Sequence, residues 1–420
     1  MSYTTTQGAE LEIQLITNDG FIANRASEIL LNPKVKNEQL AVKEGVQSQL
    51  EINNSKPHRN INDLAREIVY KLKSLEKICR KENLLIVPIS EYGAGRGERN
   101  NSLDRFEVYD KILGKKDNER LITVSGTHVH SGRQPNLEKR LTQHRVLTAL
   151  DPLIALASTS PIDVNGINGL NCHRAQLLRY ELGKNKENED ENKHESFLEG
   201  GLENYIASLE ELNLRDVYRF LKWENKFVKN GGDIKRFRSL FKVDNTGYSL
   251  VRDRPNFKPN GTFESRAFDA CPIDALLGIV AIIKGVQDRI FNENIKVRIA
   301  EDTENFQYSS KEIILPHFYQ LKSLEQSAIK YGLVDNKVTN YIKRLVEFAE
   351  GGLAQDERKY LGLITEMLEH QDNYATEVMA LIKNYGCLNE PVDKILASKA
   401  NLYMAERSKQ ATSKVEKFVF

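Results

Sequence analysis

Four stretches of this chain carry polar residues in pairs two positions apart, set in otherwise alternating sequence. They are Glu10 and Glu12 in GAELEIQLI, Gln49 and Glu51 in VQSQLEIN, His128 and His130 in GTHVHSG, and Glu264 and Arg266 in TFESR. Successive side chains of a strand point to opposite faces, so residues two apart share one. An antiparallel sheet assembled from these segments shows acids, imidazoles and a guanidinium on one surface. Ala9, Leu11, Ile13 and Leu15, with Val46, Leu50 and Ile52, line the other. Carboxylates gathered in one cleft repel each other and resist dehydration unless cations compensate, and Mg²⁺ or Mn²⁺ is the hard cation that oxygen ligands hold. A solvated sheet face explains any single pair equally well. HVH alone also fits a structural histidine pair, or the opening of a zinc or binuclear hydrolase site.

The remaining pattern is helical or loop-like. Residues 61–82 place Ile61, Leu64, Ala65, Ile68, Leu72, Leu75 and Ile78 at helical spacing behind Asn60 or Asn62 as N-cap. Residues 84–90 and 121–132 read as strands, 91–102 as a Gly- and Asn-rich loop, and 142–158 as an apolar helix. The charged stretch 184–195 reads as a surface loop. Two strands joined by a Pro/Gly turn are expected in 248–270, followed by an apolar helix over 274–292. From Pro316 onward the chain reads as helical, with Pro316 suited to a first turn and Gly332, Gly351 and Gly386 to stops. The fold class is therefore α+β, with a catalytic core over residues 1–310 and a helical part over 311–420.

Composition narrows the function classes. Lys plus Arg is 60 and Asp plus Glu is 59, a net charge of +1, so no global field attracts nucleic acid or an anionic membrane. Four cysteines, far apart and without CxxC, indicate a reduced protein, and the longest apolar run, 275–283, is well short of a membrane span. The expected location is the cytoplasm.

Five motifs in order, GAELE, EGVQSQLEIN, SGTHVHSG, NGLNCHRAQLLR and RDRPNFKPNGTFESRAFD, resemble the glutamate–cysteine ligase family, specifically the GCS2-type carboxylate–amine ligases, over about residues 8–290. The resemblance implies a fold related to glutamine synthetase: a curved antiparallel sheet forming a funnel with helices outside. It implies ATP and two or three Mg²⁺ ions as cofactors. The small-molecule substrates would be L-glutamate or an analogue and an amine, by default L-cysteine. ATP would phosphorylate the side-chain carboxylate, and the amine would displace phosphate to form a γ-glutamyl amide. Carried over by residue, Glu10, Glu12, Glu51, Glu264 and His128 are metal ligands, and Glu44, seven residues before Glu51, joins them if a bulge at Gly45 turns it inward. His128 and His130 would also contact the nucleotide. Glu264 and Arg266 are the catalytic pair, Arg266 stabilising the transferred phosphate. Arg174 would grip the substrate carboxylate, with Arg254 at nucleotide or substrate. Cys172 is expected to pack rather than react. The runner-up readings are a metallohydrolase built on HVH and a non-catalytic nucleotide-binding relative, and a homodimer is the ordinary state for an enzyme of this size.

Overall fold

Alternation in β1 (Gln7–Thr17) sets the architecture: Ala9, Leu11, Ile13 and Leu15 are wholly buried on one face. The computed structural model describes residues 4–91, 94–100, 104–163, 166–182, 201–257, 260–302, 306–385 and 394–420; the expected loop 184–195 and Gly386 lie outside them. Further strands are β2 (Val42–Lys43), β3 (Gln49–Asn53), β4 (Leu84–Val87), β5 (Gly126–Gly132), β6 (Ile162–Asp163) with β7 (Gly166–Ile167), and β8 (Val251–Arg254) with β9 (Thr262–Asp269). The main sheet runs β2-β3-β1-β5-β9-β8, entirely antiparallel, and β4 extends the β5 side of β1. A smaller sheet of β10 (Lys296–Ile299), β11 (Gln307–Tyr308) and β12 (Glu312–Leu315) contains a parallel pair.

Helix Ile61–Lys81 starts at Asn60, whose side chain accepts from the Asn62 N–H at 2.7 Å, and buries the stripe expected of it. Helix Ile273–Asn292 is apolar on nearly every side and accordingly buried along its length, packed among Asn336–Glu350, Gly362–His370 and Lys394–Val419. Truncating a leucine there to alanine removes ~2–5 kcal/mol. This core is continuous from Ala9 to Val419. No helix among the described residues is long and apolar enough to cross a membrane.

Several boundaries differ from expectation. Residues 115–123 are helical, and only 126–132 form a strand: Leu121 and Ile122 enter a second apolar core, and Asn118, one turn earlier, donates to the Phe106 carbonyl beneath it. That core joins Phe106, Tyr109, Trp223, Phe227 and Phe237, from helices Arg105–Leu113, Leu209–Lys229 and Ile234–Leu240, with Phe241 just beyond the last; none of the three helices was anticipated. Strand β3 begins at Gln49 rather than Val46 because Val46 bridges Arg99 instead. Strand β4 stops before Pro88, which has no N–H to give the ladder. The helix expected over 142–158 is broken by a 3₁₀ turn carrying Pro152. Pro316 precedes the cap His317 rather than entering the helix Phe318–Tyr331.

Candidate active site

The strand pairing assembles the site. Glu10 stands opposite His128 on one side and Asn53 on the other, Glu12 opposite Glu51, and Glu264 between His130 and Arg252. Between Thr127 and Val129 of β5 the register slips, so that Arg266 and Ala267 of β9 face the single residue His128. Such a bulge bends the strand and re-aims its side chains. Here Arg266 stays on the Glu264 face. Below them Gln14 and Gln49 both donate to the Thr123 carbonyl and the Ser125 hydroxyl, anchoring the chain that enters β5. The resulting cleft, about 350 Å³, lies between the sheet and the second apolar core.

One half of the cleft is charge-balanced. His128 Nδ1 lies 2.9 Å from Glu10 Oε2 and 3.5 Å from Glu264 Oε1, while His130 Nε2 lies 3.1 Å from Glu10 Oε1. Arg266 pairs with Glu264, and Arg254 Nη1 reaches the same carboxylate at 3.3 Å. Burial would raise Glu264, but Arg266, Arg252 and His128 pull its carboxyl down to about 2. Glu10 is half-buried, which would raise it too, yet hydrogen bonds with His128 and His130 hold it far below the usual carboxylate range. Burial and the Arg266 charge push His128 down to about 4. Its ring is then neutral at pH 7, with Nδ1–H donating to Glu10 and a lone pair left on Nε2.

The other half is uncompensated. Burial first, and then Glu44, push Glu12 up to about 8, although Arg174 and the Gly126 N–H oppose this. Glu51 is raised well above the ordinary value by burial and by Glu44, Glu10 and Glu12. Glu44 arrives from the connection after β2, where its carboxylate accepts from the Gly45 N–H. Strand parity therefore does not govern it.

These residues fit divalent cations. Glu10, His128 and Glu264 form one group, and Glu12, Glu44 and Glu51 another, whose ligand atoms lie within 4.8 Å of each other. Carboxylate-rich donors suit Mg²⁺ or Mn²⁺ rather than Zn²⁺. His128 Nε2 is buried without a hydrogen-bond partner and stands 3.9 Å from Glu12 Oε1, as a donor awaiting a cation would.

His130 is held by Thr262 Oγ1 through Nδ1 and stacks on Phe257, over whose ring Arg254 also lies. Arg174 and Arg254 both line the cleft. Arg174 Nη1, however, already donates to the carbonyls of Arg266 and Phe268 at 3.0 Å each, so it clamps the β9 bulge and leaves only the rest of its guanidinium for a ligand. Gly126 permits this approach, since a Cβ there would lie 2.4 Å from Arg174 Nη2. The Gly126 N–H donates to Glu12 at 2.5 Å. The buried Cys172 thiol donates to Asp269 at 3.0 Å, and burial and that carboxylate push it far above the thiolate range. Arg105, Tyr109, Tyr248 and Arg252 complete the walls. Of these only Arg252 carried a sequence signal, standing two residues before Arg254 in the same motif.

Two solved structures resemble the chain over nearly its whole length. One is a bifunctional glutathione synthetase from Pasteurella multocida, with TM-score 0.54 and 16% identity, covering 96% of this chain and 53% of that one. The present chain thus spans about half of that protein's length. The other is glutamate–cysteine ligase from Francisella tularensis in complex with AMP, with TM-score 0.51 and 12% identity, covering 100% of this chain and 94% of that one. No protein-family model and no curated protein matches the sequence. At these identities the likeness establishes the fold: this chain shares its α+β architecture with those two ligases.

Proposed function

We propose that this protein is an ATP- and Mg²⁺-dependent carboxylate–amine ligase, forming a γ-glutamyl amide from L-glutamate, or an analogue, and an amine, with L-cysteine the default amine. The observation that carries this reading is the pair of acidic groups on one sheet face with Arg252, Arg254 and Arg266 grouped around one of them. Such a face suits a reaction that brings a polyphosphate and a carboxylate together, where both anions need compensation. The ordered motifs and the fold shared with two ligases of the same chemistry support it. Glu12, Glu44 and Glu51 would hold one cation, and Glu10, Glu264 and His128 another. Bound there, the cations would neutralise phosphate oxygens. Arg266 sits where negative charge develops during transfer to the acid. Arg174, Arg254 and the missed Arg252 are the candidates for the substrate carboxylates, and His130, stacked on Phe257 beside Glu10, is the candidate for a nucleotide contact.

The reaction balances as two displacements. The γ-phosphoryl group moves to a side-chain carboxylate oxygen, releasing ADP, and the amine nitrogen then attacks the acyl carbon, expelling phosphate and losing a proton. The hydrolase reading lacks its ligands among the described residues, since each acidic group contains at most one histidine. The deciding measurement is ADP release with Mg²⁺-ATP and L-glutamate across a panel of amines, with products identified by mass spectrometry. Amine-dependent ADP with a matching γ-glutamyl product is expected. Mg²⁺-ATP binding without turnover on any acid or amine would favour the non-catalytic reading instead, and failure to bind Mg²⁺-ATP would overturn the site.

A further inference from the structure

Two helices of equal length, Ile61–Lys81 and Leu209–Lys229, treat their outer faces differently. The first exposes one large apolar side chain, Tyr70. The second buries Trp223 and Phe227 in the second core and Leu212 in the main core, yet on its opposite side leaves Leu214 68% exposed, Tyr218 64%, Leu221 44% and Val217 39%. Those four follow one another at spacings of three, one and three, a continuous stripe on one helix face. A helix apolar on two faces is ordinarily covered on both.

The charges flanking the stripe say what covers it. Its face begins at exposed Glu210 and ends at exposed Lys229, so the helix is acidic at one end and basic at the other. A second copy of the same helix, laid antiparallel about a two-fold axis near residues 219–220, sets Glu210 of each copy against Lys229 of the other. Both residues stand about 14 Å from that axis at the helical rise. The same register places Leu221 of one copy on Tyr218 of the other. A parallel partner would set like charges together. We propose that this face is a two-fold interface between copies of the chain, built on Leu214, Val217, Tyr218 and Leu221 and oriented by Glu210 and Lys229. The interface is isologous, each copy offering the same patch. It lies on the side of the helix away from Trp223, so dimer formation and cleft chemistry are separable.

Sedimentation velocity of the full chain over a micromolar concentration series tests this. The wild type is expected to dimerise. The double variant L214E/L221E, altering exposed positions only, is expected to be monomeric yet still folded, with the wild-type far-ultraviolet circular dichroism spectrum at room temperature. E210K and K229E should each weaken dimerisation at least tenfold, and E210K/K229E together should recover it, because both cross-interface pairs are restored with reversed sign. A wild type that stays monomeric, or a dimer indifferent to L214E/L221E, would overturn the interface. Failure of the double charge reversal to recover dimerisation, in a folded variant, would overturn the antiparallel arrangement.

Discussion

The two acidic groups of the cleft lie on the same sheet, a few residues apart, and meet burial in opposite ways. Around Glu10 and Glu264, two imidazoles offer hydrogen bonds and three guanidiniums supply the compensating charge, and both carboxylates stay ionised. Around Glu12, Glu44 and Glu51 the nearby guanidiniums of Arg174, Arg266 and Arg105 do not outweigh burial and mutual repulsion, and Glu12 and Glu51 hold their protons far up the pH scale. The first group is organised before any ligand arrives. The second exchanges protons for a cation, so its metal affinity is tied to pH.

Breaking the balanced half has the largest effect. Glu264→Gln should reduce turnover by orders of magnitude, and it should also destabilise the fold by about 3–5 kcal/mol, because buried Arg266 loses its partner. Chemical denaturation and an ADP-release assay measure the two effects together, and wild-type stability in this variant would break the comparison.

The pH response of the uncompensated half comes next. The folded state binds the Glu12 proton more tightly than the unfolded chain does, with values of about 8 and 4.5. Its stabilising contribution is complete below pH 4.5 and is lost as pH rises through 8, by up to about 5 kcal/mol. Without Mg²⁺, melting temperature should therefore decline over that range, and saturating Mg²⁺ should flatten the decline. Glu264 has the opposite sign: its contribution is present above pH 4.5 and lost as pH falls toward 2. A Mg²⁺-induced stabilisation that does not grow with pH would contradict the assignment of Glu12.

Glu51→Gln sharpens the contrast further. The amide replaces a carboxyl that already carries a proton, so stability without metal should change by less than about 1 kcal/mol, while Mg²⁺ loses a ligand and its thermal shift should shrink. Titrating Mg²⁺ in a thermal-shift experiment distinguishes this from Glu264→Gln, which is destabilised with or without metal. Gly126→Ala leaves every ligand in place and acts only through packing. Its methyl group meets the Arg174 guanidinium, so a loss of about 1–3 kcal/mol in denaturant titration is expected, with the Glu12 half disturbed more than the Glu264 half.

Legibility in the sequence followed periodicity. The pairs at 10 and 12, 128 and 130, and 264 and 266 were readable because alternation in a strand is local; the sheet brings five of these six to the cleft, with His130 reaching it through its contact with Glu10. Residues 121–123, the end of the helix at 115–123, read as strand because Ile122, Val124 and Gly126 happen to continue the alternation of β5 backwards, while the pull of the second core on Leu121 and Ile122 is invisible locally. Arg105, Tyr109 and Tyr248 gave no signal, since they reach the cleft only because helices from distant parts of the chain pack over it.

What the sequence determined by itself is which side chains share a face, since strand and helix periods depend only on neighbours along the chain. The tertiary structure decided how those faces are charged. Whether a glutamate ends up beside Arg266 or beside two other glutamates depends on strand order and on the β9 bulge, and so does the state of its proton. Arg174 belongs to the same class. Its motif marked it as a ligand-binding group, but only the close approach to Gly126 and to the carbonyls of Arg266 and Phe268 turned it into the clamp that holds the bulge in place.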